Sequence, residues 1–305
     1  MSPTPFASGT LVVLRHAERV DYTTRDRGEN WTSSAASPWD SPITEFGVSQ
    51  ALGAGVRISQ LLEGYGREGV TRIYTSPHVR CGETATRAAE AMNDRSAEAI
   101  DQPTKLSSLQ EIKIEHGLVE SMSEDWYRSW ASPGADSTWG GPKHCRKGVE
   151  VKAGGWNALA YRGAGGLFND PASMQASKNV VLPVTGEGYV YKRGELDQYT
   201  VENMEPREEE RKRVKRTCVE LVKKHPGETV LVCSHGSPCT HIWEELMNEK
   251  YSGKTFGYSC ISVYKWVEGE DGGVEWDCLC VNDLEHTDVH GDTIHCAPVE
   301  EKAKL

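Results

Sequence analysis

Leu11 to Asp21 reads Leu-Val-Val-Leu-Arg-His-Ala-Glu-Arg-Val-Asp, an aliphatic run that ends in Arg15, His16 and, three residues on, Arg19. An imidazole flanked by guanidinium groups suits attack on a phosphoryl group. Arginine binds phosphate oxygens through paired donors and keeps its charge, and histidine can carry a covalent intermediate. A lone histidine is more often structural, so the remaining pieces matter. Arg80 ends Thr75-Ser76-Pro77-His78-Val79-Arg80, just after the strand-like Arg72-Ile73-Tyr74. Glu115 sits in Ile112-Lys113-Ile114-Glu115-His116-Gly117, with Glu111 and Glu120 close by as alternative carboxyls. His235 closes a second apolar run, Thr229-Val230-Leu231-Val232-Cys233-Ser234.

These residues need elements that bring them together. Leu11–Leu14 and Thr229–Cys233 have the β-branched, aliphatic character of strands buried on both faces. Ligands of open α/β sheets bind at the carboxyl ends of parallel strands, where both histidines would fall. Helical periodicity separates the strands. Thr44 caps a helix whose inner side is Ala51, Gly55, Ile58 and Leu62. A second helix follows Arg80, with Ala85, Ala88, Ala89 and Met92 for packing. A third runs from Glu208 to His225, with Val214, Cys218, Leu221 and Val222 as its buried stripe and Pro226-Gly227 as its stop. Its charges, including Glu208–Lys212 and Glu209–Arg213, read as surface pairs. A short helix with Ile242, Leu246 and Met247 follows His235, and Ser259–Val267 with Val274–Val281 reads as a hairpin. The expected fold is α/β, a three-layer sandwich with a mostly parallel central sheet, formed as a single domain over residues 1–305.

Residues 121–200 break that alternation. They are rich in glycine and aromatics, with Trp126, Trp130, Trp139, Trp156, Tyr161 and Phe168. Long irregular segments in compact domains are usually functional or disordered, and disordered ones are poor in aromatics. The segment therefore reads as an inserted cap over the site, with a packing role elsewhere on the core as the alternative.

The formal net charge of −11 argues against nucleic acid or a polyanion as partner. A small molecule or a phosphopeptide fits a local arginine cluster better. No apolar run reaches membrane-spanning length, and Met1–Gly9 lacks the basic start and apolar core of a signal peptide. Nine cysteines without a regular framework, among them Cys218, Cys233 and Cys260 in apolar patterns, point to reduced core thiols and a cytoplasmic protein.

Together, Arg-His-Ala-Glu-Arg-Val-Asp, Thr-Ser-Pro-x-x-Arg, Ile-Lys-Ile-Glu-His-Gly-Leu-Val-Glu and Val-Cys-Ser-His-Gly-Ser resemble the histidine phosphatase, or phosphoglycerate mutase-like, superfamily. The nearest resemblance is to its TULA/Sts-type phosphatase domains and ecdysteroid-phosphate phosphatase. It spans roughly residues 10–120 and 195–281. The resemblance implies His16 as nucleophile, His235 as a phosphate contact in the transition state, Arg15, Arg19 and Arg80 as phosphate-binding, and Glu115 as proton donor. It implies no cofactor and no metal. It also implies a phosphomonoesterase working through phosphohistidine on phosphotyrosyl, steroid-phosphate or other bulky monoesters. A mutase-type phosphoryl transferase and a catalytically weak phospho-ligand-binding protein are the alternatives. Arg19 favours hydrolysis over phosphoryl shuttling, and Val20-Asp21 separates the chain from the phytase-like branch. Ala17 stands where many relatives carry glycine.

Three other patterns compete. Cys81 to Arg87 matches Cys-x5-Arg, but Glu83 would repel a phosphate and the stretch reads as helix. Gly64-x-Gly-x-x-Gly69 has its helix before and its strand after, the reverse of a dinucleotide site, so its glycines end a helix. His286, His290, His295 and Cys296 match no structural zinc spacing and read as surface residues.

Overall fold

Side chains alternate along β1 (Ser8–Arg15) between two cores. Leu11 and Val13 pack into one, Val12 and Leu14 into the other. A strand alternating between two apolar faces must be covered on both sides. The computed structural model describes residues 7–29, 31, 41–98, 111–120, 190–193, 206–253, 256–287 and 294–295. After β1 come α1 (Val20–Asp26), α2 (Glu45–Gly64), β2 (Arg72–Thr75), α3 (Val79–Glu98), β3 (Glu111–Ile114) and a 3-10 turn (His116–Leu118). Then follow β4 (Val190–Arg193), α4 (Arg207–Lys224), β5 (Thr229–Ser234), α5 (Gly236–Met247), β6 (Ile261–Glu268), β7 (Val274–Asp283) and β8 (Ile294–His295).

The strands form one eight-stranded sheet of order β4-β3-β2-β5-β1-β6-β7-β8. The five from β4 to β1 are parallel, and β6, β7 and β8 add antiparallel pairs at one side. Helices α2 and α3 cover one face with Ala54, Ile58, Leu62, Ala85, Ala88, Ala89 and Met92. Helices α4 and α5 cover the other with Val214, Cys218, Leu221, Val222, Ile242 and Leu246. The fold is thus α/β, a three-layer sandwich around a mostly parallel sheet. Val190–Arg193, inside the segment read as a cap, pairs with β3 as a parallel strand. Residues 121–189 and 194–200 of that segment lie outside the described residues.

Local signals act as expected at several positions. The Thr44 hydroxyl accepts from the Gly47 amide and caps α2, an interaction worth about 1 kcal/mol. Gly55 lets α2 approach α3 closely, since a Cβ there would stand 2.2 Å from the Ala88 carbonyl oxygen. Gly66 has φ +60° just beyond α2, so the glycine cluster ends that helix. Three acidic residues occupy the first turn of α4 and two lysines its last, complementing the helix dipole.

One expectation is corrected. Lys212 pairs with Glu209 on the α4 surface at 2.8 Å, but Arg213 does not. It is buried and donates from Nη1 to the carbonyls of Gly117 and Val119, at 2.8 and 3.0 Å. Glu210 is buried too, 3.3 Å from Nδ1 of His241. The backbone carbonyls of the 3-10 turn need a donor, and a long guanidinium beside the apolar stripe supplies it.

Candidate active site

Strands β2, β5 and β1 are neighbours, so their carboxyl ends open onto one place. His16 follows β1, His235 follows β5, and Ser76 follows β2. Backbone bonds extend the sheet into these junctions. The His16 amide donates to the Ser234 carbonyl at 2.9 Å, Ser76 to Cys233 at 2.9 Å, and Glu115 to Thr75 at 2.8 Å. Arg80 comes from the first turn of α3, where Thr84 accepts from the Ala17 amide and donates to the Arg80 carbonyl. Ala17 keeps an ordinary negative φ, since the non-glycine residues at positive φ are Asn248, Ser259 and Asn282 among the described residues. The missing glycine therefore costs no strain.

His16 is buried, and its Nδ1 faces the Ala17 carbonyl at 2.8 Å. A carbonyl only accepts, so Nδ1 carries the proton and Nε2 keeps its lone pair. The ring stands 5.3 Å from the His235 ring, edge to face. Burial, followed by Arg80, Arg15 and Arg19, holds the His16 imidazole well below the ordinary histidine range; the Ala17 hydrogen bond acts the other way. His235 is lowered in the same manner, by burial first and then by Arg80.

The three predicted arginines surround these rings by different routes. Arg15 donates from Nη1 to the Phe256 carbonyl and lies over the Tyr258 ring at 4.3 Å. Arg19 is buried and held in a fork by Asp21, at 2.7 and 2.8 Å, with Ser41 donating to the same carboxylate. Arg80 is buried and donates from Nη2 to His235 Nδ1 at 3.1 Å. Helix α5 begins at Gly236, immediately after His235, and adds the positive end of its dipole.

Three carboxylates were candidates for the donor. Glu111 is partly exposed and pairs with Lys113 at 3.5 Å. Glu115 is buried, and its Oε1 accepts from the Gly117 amide at 3.2 Å, closing the 3-10 turn. Glu120 is the one the structure brings to the histidines. Its Oε2 is 3.6 Å from His235 Nδ1, and the polar atoms of His16, Glu120 and His235 all lie within 4.8 Å of one another. Ser234 donates to the Leu118 carbonyl and Arg213 to that of Val119, so the backbone leading to Glu120 is clamped on both sides.

Two imidazoles and a carboxylate are also a metal-ligand set, and this is the group with such convergence among the described residues. Here Arg80 stands among them, 3.1 Å from His235 Nδ1 and 3.9 Å from Glu120 Oε2. With Arg15 and Arg19 beside it, the local field favours an anion over a cation.

The competing patterns resolve as follows. Cys81 to Arg87 belong to α3, so their amides serve the helix and form no phosphate loop. Cys81 itself is buried, with Sγ donating to the Ser234 carbonyl at 3.4 Å. Glu83 accepts from the Ile43 amide at 2.8 Å. Seven cysteines of the described residues are free and buried, and burial pushes the Cys218 and Cys260 thiols up to about 12. Of the histidine-rich tail, His286 is partly buried rather than a surface residue, and burial lowers it to about 4, while His290 and Cys296 lie outside the described residues.

Sequence reasoning passed over three residues. Ser76 stands 2.7 Å from His235 Nε2. The His78 ring packs edge to face on His235 at 4.7 Å. The Tyr258 ring lies 5.6 Å from that of His16. Ser76 and His78 were inside a quoted motif, but no spacing rule marks them. Tyr258 arrives on a loop tied back to the end of β1 by Ser259, whose amide donates to the His16 carbonyl and whose φ is +58°.

Among solved structures the chain is similar to a phosphoglycerate mutase from Bacillus anthracis, at 16% identity and a TM-score of 0.49, covering 92% of this chain and 96% of that one. It is similar to the ecdysone phosphate phosphatase of Bombix mori, at 18% identity and 0.48, covering 96% and 99%. A mycobacterial glucosyl-3-phosphoglycerate phosphatase matches at 14% identity and 0.47, covering 92% and 100%. No curated protein matches the chain. No helix of the described residues is long and apolar enough to cross a membrane. Residues 186–283, the stretch that carries β4 to β7 and His235 and about a third of the chain, match the family model of the histidine phosphatase superfamily, branch 1.

Proposed function

We propose that the protein is a phosphomonoesterase that works through a phosphohistidine at His16, on phosphotyrosyl, steroid-phosphate or other bulky monoesters. The observation that carries this reading is the His16 hydrogen bond to Ala17, which leaves Nε2 unprotonated beside His235 and three arginines. In the first step Nε2 attacks phosphorus and the ester P–O bond breaks. Arg15, Arg19, Arg80 and His235 stabilise charge on the phosphoryl oxygens, which is where most of the acceleration of phosphoryl transfer arises. Asp21 fixes the Arg19 fork, which supports a positioned rather than a mobile contact.

A carboxyl group gives its proton to the leaving oxygen, then takes one from the water that attacks the phosphohistidine. The place of Glu120 beside both imidazoles supports it as that group, with Glu115 holding the turn that delivers it. The step needs no metal, and the buried free thiols are in keeping with a reducing, cytoplasmic setting. A cap role for Trp126 and Trp130 concerns positions outside the described residues.

The test is hydrolysis of p-nitrophenyl phosphate in EDTA by the full chain and by His16→Ala. Turnover by the first and its loss in the second, with the fold retained by circular dichroism, support the reading. Comparable turnover by both contradicts it.

A further inference from the structure

Arg80 fixes the position of every hydrogen in a chain of four side chains. A guanidinium only donates. Its Nη2 donates to His235 Nδ1 at 3.1 Å, so that nitrogen holds a lone pair. In neutral His235 the proton is then on Nε2, which donates to Ser76 Oγ at 2.7 Å. The Ser76 hydroxyl is left to point its hydrogen at His78 Nδ1, 3.4 Å away. Ser76, His78, Arg80 and His235 are all buried to the same degree, 0% exposed. A buried chain of this kind can polarise along its length.

In this arrangement His235 cannot donate from Nδ1, although a phosphate contact from that nitrogen needs a hydrogen there. We propose that phosphate binding reverses the chain, with Ser76 as the positioning residue and His78 as the terminal proton holder. This rests on the phosphatase reading and adds to it a device that lets the site accept a monoanionic phosphate. Arg80 Nη2 releases His235 Nδ1 and donates to the phosphate instead, the O–H bond of the monoanion breaks, and an N–H bond forms at His235 Nδ1. The Nε2 hydrogen of His235 passes to Ser76 Oγ. The Ser76 hydroxyl hydrogen passes to His78 Nδ1. One proton leaves the phosphate and one arrives at His78, so the ligand becomes a dianion facing Arg15, Arg19 and Arg80, His78 becomes an imidazolium, and the transfer leaves the total charge of site and ligand unchanged.

Arg80 and Cys81 from α3 face the chain, Cys81 with Sγ 3.5 Å from His235 Nε2. Among the described residues, His16 at the end of β1, Arg19 before α1 and Glu120 beyond the 3-10 turn also face it. Burial first, and then Arg80 and Arg19, oppose protonation of His78. The dianion produced by the transfer offsets those cations.

The experiment has two arms. In the first, 15N-histidine NMR of the full chain follows His235, assigned by its loss in His235→Asn, with and without inorganic phosphate. The expected result is a protonated Nε2 in the free protein and a protonated Nδ1 with phosphate, and no such exchange in Ser76→Ala. The same tautomer in both states of the wild type overturns the proposal. In the second, kcat/KM for p-nitrophenyl phosphate is measured at about pH 5 and about pH 8, since the second phosphate ionisation lies near about 6. Ser76→Ala and His78→Phe should lose about tenfold or more at the acid end and less than about threefold at the other. Equal losses at both ends assign the two residues a packing role and overturn the relay. A wild-type protein without turnover contradicts the phosphatase reading instead, while the NMR arm still reads the proton.

Discussion

The Nδ1–H of His16 donates to the carbonyl of its neighbour Ala17 at 2.8 Å, within a site where burial and three arginines oppose protonation of the ring. The proposed nucleophile is thereby neutral and oriented with no other side chain needed to take its proton. The acid limb of kcat/KM should lie well below the ordinary histidine value of about 6.5. The alkaline limb should follow the donor carboxyl, giving an optimum below about pH 8 and activity that persists in EDTA. A pH profile with chelator throughout checks this. An optimum well above pH 8, or loss on chelation, points to metal-activated water instead.

The same shifts make stability depend on pH. His16, His78 and His235 all hold their protons less tightly in the fold than in the unfolded chain. Below about pH 6.5 the unfolded chain binds more protons, so stability is full above that value and falls as pH drops towards the folded-state values. Urea midpoints at about pH 7.5 and about pH 5.5 should differ, with the lower midpoint in acid. A midpoint that rises on acidification contradicts the assignment of three neutral buried imidazoles.

Glu120 and Glu115 should separate kinetically. Glu120→Gln removes the leaving-group proton and should lower kcat for alkyl phosphates by about 10²- to 10⁴-fold. The loss should be smaller with p-nitrophenyl phosphate, whose phenolate leaves with little help. Glu115→Gln should act through the Gly117 turn, lowering Tm and affecting both substrates alike. A substrate-dependent loss in Glu115→Gln with none in Glu120→Gln would reverse the roles.

Arg213 should matter to the site through the backbone that it holds. It holds the carbonyls of Gly117 and Val119, one residue short of Glu120. Arg213→Ala leaves those acceptors buried and should cost roughly 1–3 kcal/mol of stability. It should also lower kcat more for alkyl than for aryl phosphates, as Glu120→Gln does. Urea unfolding and the two-substrate comparison test this. Unchanged activity at full stability would mean that the clamp on Glu120 is dispensable.

Much of this was legible in the sequence because strand periodicity and strand-end position are local signals. The alternation through Leu11–Leu14 and Thr229–Cys233 places His16 and His235 at adjacent strand ends, and the small residues of α2 and α3 mark their shared face. Arg213 was not legible. Its spacing from Glu209 fits a surface pair, and only the packing of α4 against the 3-10 turn turns it inward. The proton donor was open among three glutamates for a similar reason. Which carboxylate reaches His235 depends on how Arg213 and Ser234 clamp the backbone after β3. Tyr258 carries no local mark either, since it reaches Arg15 and His16 across a sequence gap of over two hundred residues that only β1–β6 pairing closes.

The central claim is the covalent step at His16, and mapping the trapped phosphate tests it most directly. The full chain is mixed with p-nitrophenyl phosphate, quenched in alkali within milliseconds, digested and mapped by mass spectrometry. The account predicts phosphate on the peptide holding His16, stable to base and labile to acid, and none in His16→Ala. Phosphate on Cys81 instead, or full turnover in His16→Ala with no trapped phosphate, would contradict it.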